Sequence, residues 1–304
     1  MNNTVVVAHD VQQALDASAA VVALESTVIA HGLPRPQNLE TALGVETVVR
    51  ENRAHPATIA ILEGQLRAGL DRTEIASLAE TDGIKKISLR DLPLAMAEKW
   101  NGATTVATTC WIANRAGIQV FATGGIGGVH RGSLQDVSGD LPALATTPII
   151  VVCSGAKIVL DLPVTREWLE TYGVTVLGYQ CDEMPAFYSR RSGLPVDGRV
   201  ESPEQVAGVF QAQQRLAIQR AILVTVPVPA EFEIPQSDLD RTLDTALKSA
   251  ECQNISGRNL TPFLLSSMAQ ASEGETLKAN IALLKNNARV AAGIAGALAN
   301  ASVA

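Results

Sequence analysis

The feature that most constrains the fold of this 304-residue chain is a repeated alternation of short apolar runs with helix-patterned stretches. Val/Ile-rich runs recur at 20–24, 57–62, 84–88, 118–122, 148–153, 174–178 and 221–226. Stretches with helical spacing separate most of them, at 38–53, 72–80, 104–116, 157–172, 202–219 and 237–251. Runs that are apolar throughout must be buried on both faces, so the pattern predicts strands with helices on either side. The expected fold is a three-layer α/β/α sandwich with a largely parallel or mixed central sheet. Asn38 and Asp71 stand where a helix N-cap is wanted. Ser202, Pro203 and Gln205 read as cap, first-turn proline and capping-box partner. No internal repeat or low-complexity linker interrupts the pattern. VPVPAEFEIP (226–235) is the nearest thing to a boundary, but it follows a strand, and a single domain over 1–304 is expected.

Composition narrows the function. The chain is 47% hydrophobic with a net charge of −7, which leaves no basic footprint for nucleic acid. An anionic substrate would need a local basic pocket. The first residues, MNNTVVVAHD, lack the pattern of a signal peptide, and no apolar run reaches the roughly 18 residues of a membrane span. ARVAAGIAGALANASVA (288–304) reads as a packed helix. The four cysteines, Cys110, Cys153, Cys181 and Cys252, include no CxxC and fit buried free thiols in a reducing compartment. A soluble cytoplasmic protein is expected.

The chemistry gathers at strand ends. FATGGIGGVHRGSLQDVSGDL (121–141) places four glycines in five residues after an apolar run. Such a loop lets backbone N–H groups approach a ligand closely and suits phosphate or metal at the end of a buried strand. Asp136 and Asp140 are candidate ligands for Mg²⁺ or Mn²⁺, or caps of the next turn. Ser138 is placed to donate to a phosphate. His130 has no second histidine at a metal-ligand spacing and reads as a hydrogen-bonding group. GGIGG is not GxGxxG, so dinucleotide binding is discounted.

Four further segments follow the same logic. Glu25 directly follows a strand, where partial desolvation suits a carboxyl to proton donation, though it could equally pair with an arginine or cap a helix. Lys85, Lys86, Arg90 and Asp91 cluster after another strand, either as a phosphate grip or as a solvated turn. Thr104 and Thr105, beside Gly102, are anion donors or ordinary caps. Lys157, one of only seven lysines, follows a strand and the small turn Ser154-Gly155-Ala156. Apolar surroundings and a helix N-terminus would hold it partly neutral, ready to attack a carbonyl; the alternatives are phosphate binding or snorkelling to solvent.

With these segments in place the chain resembles the pseudouridine-5′-phosphate glycosidase family, which includes the indigoidine-cluster A protein. The resemblance is carried by VVALESTVIAHGLPRPQN, HPATIAILEG, KISLRDLP, NGATTVATT, FATGGIGGVHRG, VVCSGAK, LGYQ with PAFY, and TPFLL with LKANIALLKNN, spanning roughly 20–290. It implies reversible cleavage of the C–C glycosidic bond of pseudouridine 5′-phosphate to uracil and ribose 5-phosphate. It also implies a homotrimer of α/β/α fold that uses a divalent cation, typically Mn²⁺. By resemblance, Glu25 is the proton donor and Lys157 the covalent lysine. Lys86 and Val106, with Thr105 beside it, fall at substrate-binding positions. Asp136 matches the metal ligand, Ser138, Gly139 and Asp140 the adjacent substrate triplet, and His130 and Asn280 base-pocket contacts.

Two departures stand out. The loop Gly132–Asp136 is shorter than the family pattern, so Asp140 could take the metal instead of Asp136. Val226 stands where relatives tend to have Asn. Two other readings use the same residues: a different Schiff-base lyase acting on a sugar phosphate, and a non-catalytic sugar-phosphate sensor.

Overall fold

The computed structural model describes residues 4–132, 135–253, 255 and 260–301. The first half of the chain contains β1 (Val5–Val7), α1 (His9–Asp16), β2 (Val21–Leu24), α2 (Gln37–Glu51), β3 (His55–Leu62), β4 (Gln65–Ala68), α3 (Arg72–Glu80), β5 (Lys85–Ile87), α4 (Leu92–Ala97), β6 (Gly102–Thr104), α5 (Val106–Arg115), β7 (Val120–Ala122) and β8 (Val129–His130). The second half contains α6 (Asp140–Leu144), β9 (Ile150–Cys153), β10 (Leu160–Asp161), α7 (Leu162–Thr171), β11 (Thr175–Tyr179), β12 (Gly198–Val200), α8 (Pro203–Arg215), β13 (Ile222–Thr225), α9 (Gln236–Cys252), α10 (Leu260–Ala271) and α11 (Glu275–Ala301).

Eleven strands form one mixed sheet whose main path runs β1-β4-β3-β2-β7-β9-β13-β11-β12. From β3 through β12 that path is parallel, as the fully apolar runs require. The antiparallel part lies where β3 outlasts β2 and pairs with β4 and β6. Helices cover both sides, giving the expected sandwich. Helix α5 packs on β2, β3 and β7, while α11 crosses β2, β7 and β9 and packs on α2 and α8. The chain leaves β2 towards β3 but leaves the neighbouring β7 towards β9. Strand connections therefore diverge between β2 and β7, and the crevice at their carboxyl ends is where a parallel sheet opens a binding site.

All seven apolar runs are strands, each inside or within two residues of its expected span. The sheet also holds elements too short to show a period, among them β1, β6 and β12. The β3–β4 hairpin turns at Glu63 and Gly64, both with positive φ, the backbone shape of a tight two-residue turn. Helix starts correct the sequence reading in three places. Asn38 does not cap α2, because its buried amide donates instead to the carbonyls of Ile29 and Ala79. Ser202 occupies the cap position of α8 without accepting a first-turn N–H, and Gln205 accepts from Glu201. The helix expected from 157 begins only at Leu162, since 157–161 form a turn and the β10 pairing with β8, and Asp161 caps it. Asp71 does form its capping box with Glu74.

The segment 288–301 is the packed end of α11, while 302–304 lie outside the described residues. No helix among the described residues is long and apolar enough to cross a membrane. All four cysteines are free, but only Cys110 and Cys153 are buried; Cys181 is half-buried and Cys252 exposed.

Candidate active site

Glu25 directly follows β2, and only 7% of it is exposed. The Thr27 hydroxyl donates to Oε2 and the Thr123 hydroxyl to Oε1. Both ends of the carboxyl are thus oriented by hydroxyls that the sequence reading did not single out. Thr123 is the first residue after β7, so Glu25 is gripped from the neighbouring strand end.

The glycine-rich loop leaves β7 and runs beside the turn that leaves β9. The Ser154 N–H donates to the Gly124 carbonyl, Ile126 to Gly155, and Lys157 to Ile126. These bonds continue the β7–β9 ladder beyond the strands and position Lys157. Gly155 has φ of +81°, and a Cβ there would strike the Pro185 carbonyl, so glycine is required. Lys157 is half-buried, and its ammonium has no hydrogen-bond or carboxylate partner among the described residues. The helix-terminus argument for this lysine fails, because α7 starts five residues later. What remains is an unpaired amine beside an apolar strand end. Burial pushes the nearby Cys153 thiol up to about 12, which leaves it protonated and a poor nucleophile.

The two aspartates separate cleanly. Asp140 is 6% exposed; its Oδ1 accepts the Ala107 N–H and its Oδ2 the Gly127 N–H, each at 2.8 Å. It ties the start of α5 to the glycine loop. Asp136 is 48% exposed at its side chain, with Oδ1 3.2 Å from His130 Nδ1. Its backbone carbonyl accepts the His130 N–H at 2.9 Å. Of the two, Asp136 has the carboxylate still open to a ligand. Ser133 and Leu134, in the shortened loop, lie outside the described residues. Gly127→Ala is expected to destabilise the fold by about 1–3 kcal/mol. Its Cβ would meet Ser138 Oγ and lie 2.6 Å from Asp140 Oδ2. Denaturant unfolding reads the effect, and unchanged stability would remove the brace assigned to Asp140.

Strand alternation divides the basic cluster. Lys85 Nζ stacks over the Trp100 ring at 3.3 Å, while Lys86 lines the cavity. Arg90 stands on the cavity wall with its side chain 75% exposed. The usual orphan amides of a helix start are mostly used at α5. Ala107 N–H goes to Asp140, and Thr108 N–H to the Thr105 hydroxyl, which caps the helix. The Val106 N–H has no partner among the described residues. A valine expected at a substrate-binding position could therefore serve through its backbone, whose N–H is left open on the cavity wall. His31, in the π-helical turn Val28–Gly32, also lines the cavity. Burial and then Lys86 pull its imidazole below the usual range, so it is neutral at neutral pH.

Glu25, Lys86, Thr105, Val106, His130, Asp136, Ser138, Gly139, Asp140, Lys157 and Asn280 all line one cavity of about 700 Å³, the size of a small-molecule site. Asn280, on α11, is 7% exposed and its amide has no protein partner among the described residues. An amide with no protein partner on a cavity wall is open to a ligand. The sequence reading missed Ser88, Phe187 and, on α10, Thr261, Pro262 and Leu265, which complete the wall. Thr261, Pro262 and Leu265 belong to TPFLL, a quoted motif to which no role had been given. Val226 is buried and does not line this cavity.

Residues 10–297 match the family of indigoidine synthase A-like proteins. The pseudouridine-5′-phosphate glycosidase of Caldanaerobacter subterraneus subsp. tengcongensis is 48% identical over 297 residues, covering 97% of each chain. That of Geobacillus kaustophilus is 48% identical over 297 residues, covering 97% of this chain and 99% of its own. Among solved structures, the prealnumycin C-glycosynthase AlnA in complex with ribulose 5-phosphate superimposes with a TM-score of 0.90 at 38% identity, covering 98% of both chains. An indigoidine synthase A-like protein from Thermotoga maritima gives 0.89 at 36% identity over 97% of both.

Proposed function

The chain belongs to the indigoidine synthase A-like family, and on that premise we propose that it is a pseudouridine-5′-phosphate glycosidase, splitting its substrate reversibly into uracil and ribose 5-phosphate. The observation that carries this reading is a single cavity that holds a hydroxyl-oriented carboxyl, Glu25, and an unpaired lysine, Lys157. Beside them stands an anion cradle of Lys86 and the Val106 N–H.

The chemistry demands that pairing. Here the atom that must depart is a uracil carbon, and direct departure would generate a poor carbanion. Protonation of the ribose ring oxygen by Glu25 opens the ring, and the Lys157 nitrogen bonds to C1′ as it releases a proton. The nitrogen lone pair then forms C1′=N as the bond to uracil C5 breaks and C5 takes a proton. Water adds to the imine, releasing ribose 5-phosphate and regenerating the amine. Lys86 and the Val106 N–H hold the phosphate, and Asn280 and His130 face the base. Phe187, Leu284 and Leu265 keep the cavity wall apolar.

A divalent cation, Mn²⁺ by resemblance, fits one open carboxylate better than a protein cage. No three His, Cys, Asp or Glu side chains among the described residues converge to hold a metal. Asp136 would hold it, with waters and the substrate phosphate as remaining ligands. When bound, the cation supplies positive charge against the phosphate. Asp136→Asn is expected to weaken apparent Mn²⁺ affinity at least about 10-fold with stability unchanged. Asp140→Asn should instead cost about 1–3 kcal/mol of stability, because an amide group faces a backbone N–H it cannot accept. The reverse pattern in metal titration and unfolding would move the ligand to Asp140.

The resemblance also implies a homotrimer working in the cytoplasm, and sedimentation equilibrium reads the trimer. The function itself is tested by incubating the protein with pseudouridine 5′-phosphate and Mn²⁺. Release of uracil is expected, and its absence under conditions where a glycosidase of the same family is active would refute the proposal.

A further inference from the structure

Asn287, on α11, is fully buried, and its side-chain hydrogen bonds go to strand ends of the sheet. Its Nδ2 donates to the Thr123 carbonyl at 2.9 Å, to the Gly124 carbonyl at 3.4 Å and to Ser154 Oγ at 3.1 Å. Its Oδ1 accepts from the Ser154 hydroxyl at 3.3 Å. Carbonyls only accept, so the amide edge must face them. Thr123 is the residue whose hydroxyl grips Glu25, and Ser154 opens the turn that ends in Lys157. Asn280 lies seven residues earlier, two helical turns away on the same face of α11.

We propose that Asn287 is a positioning residue that locks the end of β7, which grips the acid through Thr123, and the lysine-bearing end of β9 to the helix that carries the base contact. It touches no substrate atom; it sets the spacing among three groups that do. The backbone bonds between the two loops hold β7 and β9 to each other, and the Asn287 side chain ties both to the helix of Asn280. The inference rests on the glycosidase reading, since it assigns the spacing a role in C–C cleavage.

The test measures uracil release per trappable lysine, with the trappable fraction counted by borohydride reduction in ribose 5-phosphate. Asn287→Asp keeps the shape but turns an acceptor towards the two carbonyls, and Asn287→Ala removes the contact. In both, kcat per trappable lysine should fall about 10²-fold, the usual penalty for misplacement by about 1 Å, with KM for pseudouridine 5′-phosphate unchanged. Ser154→Ala removes only the β9 contact of Asn287, and a smaller fall in the same direction is expected. Wild-type kcat per trappable lysine in the Asn287 variants that fold would overturn the inference, reducing Asn287 to a folding role. Should neither Asn287 variant fold, Ser154→Ala decides, and an unchanged kcat there overturns it as well. Wild-type protein that neither traps sugar nor releases uracil would instead remove the glycosidase reading, and this inference with it.

Discussion

Lys157→Ala is expected to lower turnover by at least about 10⁴-fold, the scale on which removing a covalent nucleophile acts, while the fold stays intact. The stability half of this expectation comes from the site itself. The Lys157 ammonium has no ion-pair or hydrogen-bond partner among the described residues, so truncation leaves no buried group unpaired. The backbone bond from Lys157 N–H to the Ile126 carbonyl survives the change. Lys157→Arg should be equally inactive, because a guanidinium stays protonated and supplies no neutral amine. Steady-state kinetics and thermal unfolding of the same samples read both halves. Near-normal turnover in either variant would end the covalent mechanism.

Glu25→Gln is expected to lower turnover by about 10²–10⁴-fold, the usual worth of a positioned general acid. The replacement keeps size and shape; one of the Thr27 and Thr123 hydroxyls keeps an oxygen to donate to, and the other turns to accept from the new amide N–H. What it removes is the transferable proton. The variant should therefore separate the two roles: with ribose 5-phosphate, whose open form already carries an aldehyde, the lysine adduct should still form. Uracil release from the intact nucleotide should not. A Glu25→Gln enzyme that cleaves at the normal rate would assign the acid elsewhere in the cavity.

The parallel core was legible because burial on both faces writes itself as near-continuous apolar runs; one of the seven, 84–88, carries two lysines and is the short strand β5 off the main path. The missed strands are short: β8 and β10 have two residues each, β1, β6 and β12 three and β4 four, too few to display a clear period. The late start of α7 had a local signal in Asp161 followed by Pro163, a cap and a first-turn proline.

At the site, residue types at strand ends pointed to Glu25, Lys86, Asp136 and Lys157, and the resemblance gave them roles. Their supports were not legible. Asp140 reaches Ala107 across 33 positions, and Asn287 reaches Thr123 across 164; no local spacing encodes such a pair. The strand ends announce the chemistry, and distant carboxylates and amides hold it in place.

The proposed mechanism turns on one covalent bond, between Lys157 Nζ and the sugar C1. Incubation with ribose 5-phosphate and borohydride, followed by peptide mass mapping, should find one reduced pentose-phosphate adduct per chain, on Lys157. No adduct, or one on Lys86 instead, would contradict it.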